Sequence, residues 1–383
     1  MRITFITPTM GLGGGPRVIV IYAQALVRMG HTVRIISQPP KQTSERKKVA
    51  SLITNPRRLD QQPLKSHLDG SGLDHFMIDR WRPITNDDVP DADIVIATWW
   101  ETAEWVNAFG PNKGAKVYFI QHHEVFPYLP IERCEATYRM PLHKIVVARW
   151  LQQVMATRYN DRIVDIVTNS VDKSQFFAAD RRKQITPTVG VLYTATPWKG
   201  LDVSLSALQL LRKTFPSLQI ISFGNQQPSK KMPLPLDATF FYSPPQDKIR
   251  DIYAECDVWI TASRSEGFNL PAMEAMACRT PVVSTRTGWP EEAIKPYVNG
   301  VLVDIDDRVG LAKGIHWVLS QSDDDWRSLS LNAYATVATS SWQASAEMFE
   351  RALKHACRRS ARGEISGKCT AYFPNGNDTS DQQ

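Results

Sequence analysis

Short apolar runs alternate with helical patterns along almost the whole chain. In the first half the runs fall at Ile3–Thr7, Thr32–Ser37, Ile94–Thr98, Val117–Gln121, Lys144–Val147 and Ile163–Thr168. Between the first two, the spacing of Val18, Ile21, Tyr22, Ala25 and Leu26 predicts a helix from about Pro16 to Met29. The alternation pauses over the polar, charged stretch Ala178 to Thr188, which reads as a linker. It resumes with a strand at Val189–Tyr193, a helix at Leu201–Phe215, and strands at Leu218–Phe223 and Thr239–Tyr242. A helix at Gln246–Ala254, a strand at Asp257–Thr261, a helix at Leu270–Cys278 and a strand at Thr280–Ser284 follow. Strands separated by helices predict an α/β protein with parallel, helix-covered sheets. Weaker signals run to Thr336, and a last helical pattern covers Trp342–Lys354. After Arg358 the chain turns polar and rich in Gly, Asn, Asp and Ser, which predicts a disordered tail. The region from 39 to 70 is polar and proline-punctuated and predicts no element.

With 383 residues the chain exceeds what one core usually serves, so two domains are expected. No apolar run reaches the roughly 18 residues of a membrane span. The start, Met1 to Pro8, reads as a strand and turn rather than a signal peptide. The five cysteines are scattered without a C-x-x-C pair, which argues for a reducing compartment and against a structural zinc site. The net charge of +6 is uneven: Lys41, Arg46, Lys47, Lys48, Arg57, Arg58 and Lys65 cluster with only Glu45 and Asp60 opposing them. Such a segment is either a solvated face or a patch suited to peripheral contact with an anionic membrane or acceptor. Nucleic acid is not expected as a partner, because the segment has no aromatic residue to stack on bases.

The chemistry concentrates in Glu266-Gly267-Phe268-Asn269-Leu270-Pro271-Ala272-Met273-Glu274. The segment follows a predicted buried strand, Asn269 suits an N-cap, and a proline two residues on suits a first helical turn. Gly267, Phe268 and Asn269 are thus expected to form a loop at a helix N-terminus, where unpaired N–H groups and the helix dipole favour anions. Glu266 would precede the turn and Glu274 would lie one turn inside the helix, so both can face one ligand. Lys199-Gly200 stands between the first strand and first helix of the second half, where a lysine can neutralise a diphosphate. Gly11 to Gly15 open a helix after the first strand, which allows close backbone approach to a ligand. The second strand ends in Ser37-Gln38-Pro39 rather than an acid, which excludes a nicotinamide-binding fingerprint. His122 and His123 end a strand, a position that suits a ligand site. Trp99 and Trp100 end the preceding one, either as core or as an indole face for a sugar.

The Glu-Gly-Phe, Asn-Leu-Pro and Glu-Ala-Met-Ala segments from Glu266 to Ala277 resemble the E-x7-E signature of retaining glycosyltransferases of the GT-B type. This is the glycosyl transferases group 1 family, also called family 4. Asn169-Ser170-Val171-Asp172 resembles the segment that closes the family's first domain, and Thr287 to Glu291 resembles its Gly-Gly-x-Pro-Glu turn. The resemblance implies two Rossmann-like domains facing an interdomain cleft. Residues 1–177, with a crossing helix at about 342–357, would be the acceptor domain, 188–341 the nucleotide-sugar domain, and 358–383 a tail. It implies a nucleotide-diphosphate sugar as donor and a glycan or lipid-linked acceptor. The expected product belongs to bacterial surface polysaccharide or glycolipid synthesis in the cytoplasm. No cofactor or metal is expected. The resemblance assigns donor binding to Gly14, Gly15, Lys199, Gly267, Phe268, Asn269, Leu270 and Glu274, with Glu274 on the ribose. It puts Glu266, His122 and Lys199 at the reacting centre, with His122 aligning better than His123. Trp99, Trp100 and His123 remain for the acceptor. The chain departs from the family at Pro16 and Arg17. It departs again at Tyr193 or Thr194, where the family commonly places a diphosphate-binding arginine. Two alternatives stay open: a non-catalytic nucleotide-sugar or glycan binder, and an epimerase or hydrolase on the same fold.

Overall fold

The computed structural model describes residues 1–41 and 65–371, so most of the basic segment between Lys41 and Lys65 lies outside the described residues. The chain divides into two compact units. Unit 1 is Met1–Val146, Leu151–Val167 and Ala346–Gln383; unit 2 is Val147–Trp150 and Thr168–Ser345.

Unit 1 runs β1 (Arg2–Thr7), α1 (Gly14–Arg28), β2 (Thr32–Ser37), β3 (Asp74–Met77), β4 (Ile94–Ala97) and α2 (Trp100–Ala108). It continues with β5 (Ala115–Ile120), α3 (Ile131–Thr137), β6 (His143–Val146), α4 (Arg149–Arg158, whose first two residues belong to unit 2) and β7 (Val164–Ile166). All strands are parallel, in the order β3-β2-β1-β4-β5-β6-β7. The inner strands carry near-continuous apolar runs because helices cover both faces. The exception is β3, an edge strand whose Phe76 and Met77 are about half exposed. It lacks the buried alternation that sequence reading needs, and it was not expected.

Unit 2 runs β8 (Thr188–Leu192), α5 (Leu201–Leu211), β9 (Gln219–Gly224), β10 (Thr239–Tyr242), α6 (Gln246–Ala254) and β11 (Val258–Thr261). Then come α7 (Leu270–Ala277), β12 (Val282–Thr285), α8 (Trp289–Ala293), β13 (Gly300–Val303), α9 (Arg308–Leu319) and α10 (Asp323–Ala338). Its parallel sheet has the order β10-β9-β8-β11-β12-β13. Val191, Ile220 and Ile260 pack with Leu208, Leu311, Ile315 and Trp326 to form one core.

The last helix, α11 (Trp342–Ala361), outruns the expected Trp342–Lys354. Its Phe349 stacks on Tyr22 at 4.7 Å and meets Phe119 edge-on at 5.0 Å in the core of unit 1. The tail is corrected over its described part. Beyond α11, Ile365 is buried. Ser366 N donates to Pro141 O at 2.8 Å, and Lys368 N to Pro111 O at 3.1 Å. Polar composition misled here because backbone hydrogen bonds within unit 1, with only Ile365 as a buried apolar anchor, hold much of the segment. The cysteine reading is corrected as well: Cys357 and Cys369 form a disulfide, while Cys134, Cys256 and Cys278 are buried and free. The sequence spacing hid this pair because α11 ends between them and the chain folds back. The argument from cysteines for a reducing compartment therefore lapses. Among the described residues no helix is long and apolar enough to cross a membrane.

Candidate functional site

In unit 2 the strand order reverses direction between β8 and β11, since successive strands go to opposite sides of that pair. Open α/β sheets bind ligands outside the carboxyl ends of the strands at such a point. A pocket lies there, lined by Thr194, Lys199, Ser263, Glu266, Asn269 and Pro271 among others.

The turn before α5 is forced by Gly200. Its φ is +63°, and a Cβ there would sit 1.9 Å from the Ala262 carbonyl oxygen. No side chain fits, so the turn carrying Lys199 is pressed against the end of β11. Lys199 Nζ lies 2.7 and 2.9 Å from the two carboxylate oxygens of Glu266. Ser263 Oγ donates to the same carboxylate at 2.6 Å. Glu266 is only 6% exposed, so its charge is paired in a largely dry place. Buried pairs of this kind contribute little net stability, which makes a structural purpose a weak explanation for this one.

The loop after Glu266 is held from several sides. Gly267 O accepts from Trp150 Nε1 at 3.0 Å, and Phe268 O from Trp289 N at 2.8 Å. Phe268 stacks on Trp289 at 5.7 Å. Asn269 departs from expectation. It precedes α7 but has φ +81° and ψ +64°, with no side-chain cap. Instead its Nδ2 donates to Thr261 Oγ1 at 3.1 Å. A left-handed asparagine costs about 1 kcal/mol or more and persists where the surroundings over-determine it, commonly at a ligand site. Leu270 and Pro271 then begin α7. Glu274, one turn in, is buried but is not among the residues lining the Lys199 pocket. Its Oε2 accepts from Tyr253 OH at 3.0 Å.

Arg264 stands just before the Glu266 loop and helps to shape it. Its guanidinium reaches Asp202 Oδ2 at 2.7 Å, Asp306 at 2.7 Å and Pro197 O at 2.7 Å. It ties the Lys199 turn to the Glu266 loop. Neither this clamp nor the Tyr253 contact left a signal in the sequence, because each partner is remote in the chain.

In unit 1 the corresponding reversal lies between β1 and β4. Gly14 and Gly15 open α1 after β1, and the Gln121 side chain packs near Gly15. Trp99 caps the N-terminus of α2 and is half-buried. Trp100 is a correction: it begins α2 rather than ending a strand and is 4% exposed, with Arg133 over its ring at 4.9 Å. Its ring is buried, in keeping with the core placement that the sequence left open beside an indole face. His122 Nδ1 donates to His123 O at 3.0 Å. His123 Nε2 pairs with Tyr159 OH at 2.7 Å, and burial pushes its pKa down to about 4, so the ring is neutral at pH 7. Beside them Glu124 is buried, accepting from Trp100 N at 2.8 Å and Tyr118 OH at 3.1 Å. Burial pushes its pKa up to about 8.

Residues 172–354 match the sequence profile of a family described as glycosyl transferases group 1. A D-inositol 3-phosphate glycosyltransferase of Segniliparus rotundus is 28% identical over 188 residues, which cover 43% of this chain and 41% of that protein. One from Corynebacterium jeikeium is 36% identical over 122 residues, 31% of this chain and 28% of its own length. The chain thus spans less than half the length of these curated relatives. Among solved structures, sucrose-phosphate synthase from Thermosynechococcus elongatus has a TM-score of 0.72 at 15% identity, covering 93% of this chain and 98% of that one. Anabaena HepE in complex with UDP-glucose has a TM-score of 0.71 at 15% identity, covering 93% and 100%. At such identities the likeness shows the fold alone: α/β, with two parallel sheets of the GT-B kind.

Proposed function

We propose, from the match of residues 172–354 to the glycosyl transferases group 1 family, that this chain transfers a hexosyl or deoxyhexosyl unit with retention of configuration. The donor is a nucleotide-diphosphate sugar and the acceptor a glycan or lipid-linked glycan. The observation that carries the reading is the Lys199–Glu266 pair at the β8/β11 reversal, beside the helix N-terminus of α7.

The chemistry follows from charge. The bond between the anomeric carbon and the diphosphate oxygen breaks, and negative charge grows on the leaving group. In this reading Lys199 and the amide dipoles at the starts of α5 and α7 stabilise that charge, and no metal is called for. To reach the diphosphate, Lys199 shares or leaves Glu266, so donor binding and the state of Glu266 are coupled. Glu266 then serves the transferred sugar, together with the backbone of Gly267, Phe268 and Asn269. Glu274, oriented by Tyr253, accepts from the ribose hydroxyls. The acceptor oxygen bonds to the anomeric carbon on the face the diphosphate leaves. Its proton passes to a diphosphate oxygen, so no protein base is required. The reading includes a cytoplasmic reaction, a role in surface polysaccharide or glycolipid synthesis, and membrane contact through the Lys41–Lys65 segment.

A second reading, a non-catalytic binder of nucleotide sugars, is favoured by one observation. Where the family commonly has an arginine, Tyr193 is buried with its OH on Met232 O, and Thr194 lines the pocket. A panel of nucleotide sugars with glycan and lipid-linked acceptors separates the readings, with products followed by NMR. Transfer with a retained anomer supports the transferase. Binding without turnover supports the binder. An inverted product, or interconversion of the donor without acceptor, contradicts both.

A further inference from the structure

A basic stripe runs along α11, away from the Lys199 pocket in sequence and within unit 1. Arg351, His355, Arg358 and Arg362 recur at steps of four, three and four, so they share one helical face. With Asp165 and Ile166 of β7 they line an open pocket of about 490 Å³. Asp165 anchors its floor. Its Oδ2 takes both His143 Nε2 and His355 Nδ1 at 2.9 Å. Arg359 Nη1 lies 3.1 Å from His143 Nδ1, while its Nε donates to Glu364 at 3.0 Å. Arg362 also pairs with Glu364, at 2.7 Å. Arg351 and Arg358 are exposed and form no ion pair among the described residues.

Two simpler accounts fall short. The ligand atoms of His143, Asp165 and His355 lie within 4.8 Å of one another, a spacing that suits a divalent cation. A cation there would sit beside Arg359 and the guanidinium groups lining the pocket, and Asp165 already serves both imidazoles. Like charge disfavours it. Basic residues in a last helical turn also complement the helix dipole. That covers Arg358 in the last turn and Arg362 just past it, but Arg351 lies well before the last turn.

We infer that this pocket binds an oxyanion of the phosphate class, a phosphomonoester or diphosphate, carried either by a soluble molecule or by a lipid headgroup. Two guanidinium forks on one face can each grip a pair of phosphate oxygens, which a lone carboxylate cannot supply to both. Asp165, clamped by two histidines, keeps the pocket floor rigid. The inference does not depend on the transferase reading.

The test uses the full chain in a Lys199→Ala background, so that diphosphate held by Lys199 makes no contribution. Pyrophosphate is titrated calorimetrically, and sedimentation is measured with vesicles of phosphatidylcholine with and without phosphatidylglycerol. Arg351→Gln/Arg358→Gln should weaken pyrophosphate binding by about tenfold or more, or abolish the extra sedimentation with phosphatidylglycerol. The first result identifies a soluble ligand, the second a headgroup, and either supports the pocket. Arg351→Gln alone, at an exposed helical position, gives the same direction should the double variant lose its fold. If both variants match their parent in both assays, the proposal is overturned.

Discussion

The two turns that follow a first strand make a useful pair. In unit 1 the glycine run Gly11 to Gly15 is loosely held: a Cβ on Gly11 would meet nothing within 4 Å. In unit 2 the turn at Lys199-Gly200 leaves no slack, with Gly200 against the Ala262 carbonyl and Arg264 bridging it to the next loop. A glycine-rich sequence therefore says little about constraint. The turn with one glycine is the over-determined one, and it is the one that carries a charged pair. A site that must hold a lysine against a buried glutamate needs fixed backbone, while a run of small exposed residues leaves room for something to approach.

That contrast breaks most sharply at the glycines themselves. Gly200→Ala should destabilise unit 2 by about 3 kcal/mol or more, through backbone collision and a disfavoured left-handed φ. Gly11→Ala should shift stability by less than about 0.5 kcal/mol. Melting midpoints of the two variants provide the check, and equal shifts would refute the distinction.

The C-terminal segment sharpens it from the side of unit 1, whose tightness lies away from its glycine turn. A chain ending at Arg362 loses buried Ile365, the Ser366 and Lys368 backbone bonds and the disulfide. It should melt several degrees below a chain ending at Ala371. A disulfide closing a loop of this size contributes roughly 2–3 kcal/mol. Coincident melting curves would restore the reading of a dispensable tail.

A smaller effect is expected at Glu124, near the strand ends of unit 1. Its pKa is raised from the usual 4.5 to about 8 by burial. Below pH 4.5 the carboxyl is protonated whether folded or unfolded. Between there and about pH 8 the unfolded chain releases the proton and the folded chain keeps it, so stability falls as pH rises. Glu124→Gln should therefore match the parent near pH 4.5 and exceed it by about 1–3 kcal/mol near pH 8. A gap that is constant with pH would mean that Glu124 does not titrate in this window.

Much of the architecture was legible because parallel, doubly covered strands must be apolar throughout: β1, β4, β5, β8 and β11 announce themselves. β3 did not, since an exposed edge strand buries nothing. The Glu266 to Glu274 segment was legible as a loop entering a helix. The left-handed Asn269 was not, because its conformation is set by Thr261 and neighbouring contacts rather than by a local preference. The Lys199–Glu266 pair joins residues far apart in the chain, and no periodicity encodes it. The indole of Trp100 shows the same limit: its position in sequence left core and ligand face open, and only the fold shows it buried with Arg133 over its ring.

The central question is whether the Lys199 pocket and Glu274 hold a nucleotide-diphosphate sugar. Calorimetric titration of the nucleotide diphosphate into Lys199→Ala and Glu274→Ala, beside a donor-turnover assay, tests this most directly. Loss of a charge-assisted contact by either change should weaken binding by about tenfold to more than a hundredfold. Glu266→Ala, which frees Lys199, should leave nucleotide diphosphate binding intact or tighter while abolishing turnover. If Lys199→Ala and Glu274→Ala bind and turn over donor like the parent, the site described here is not where the donor sits.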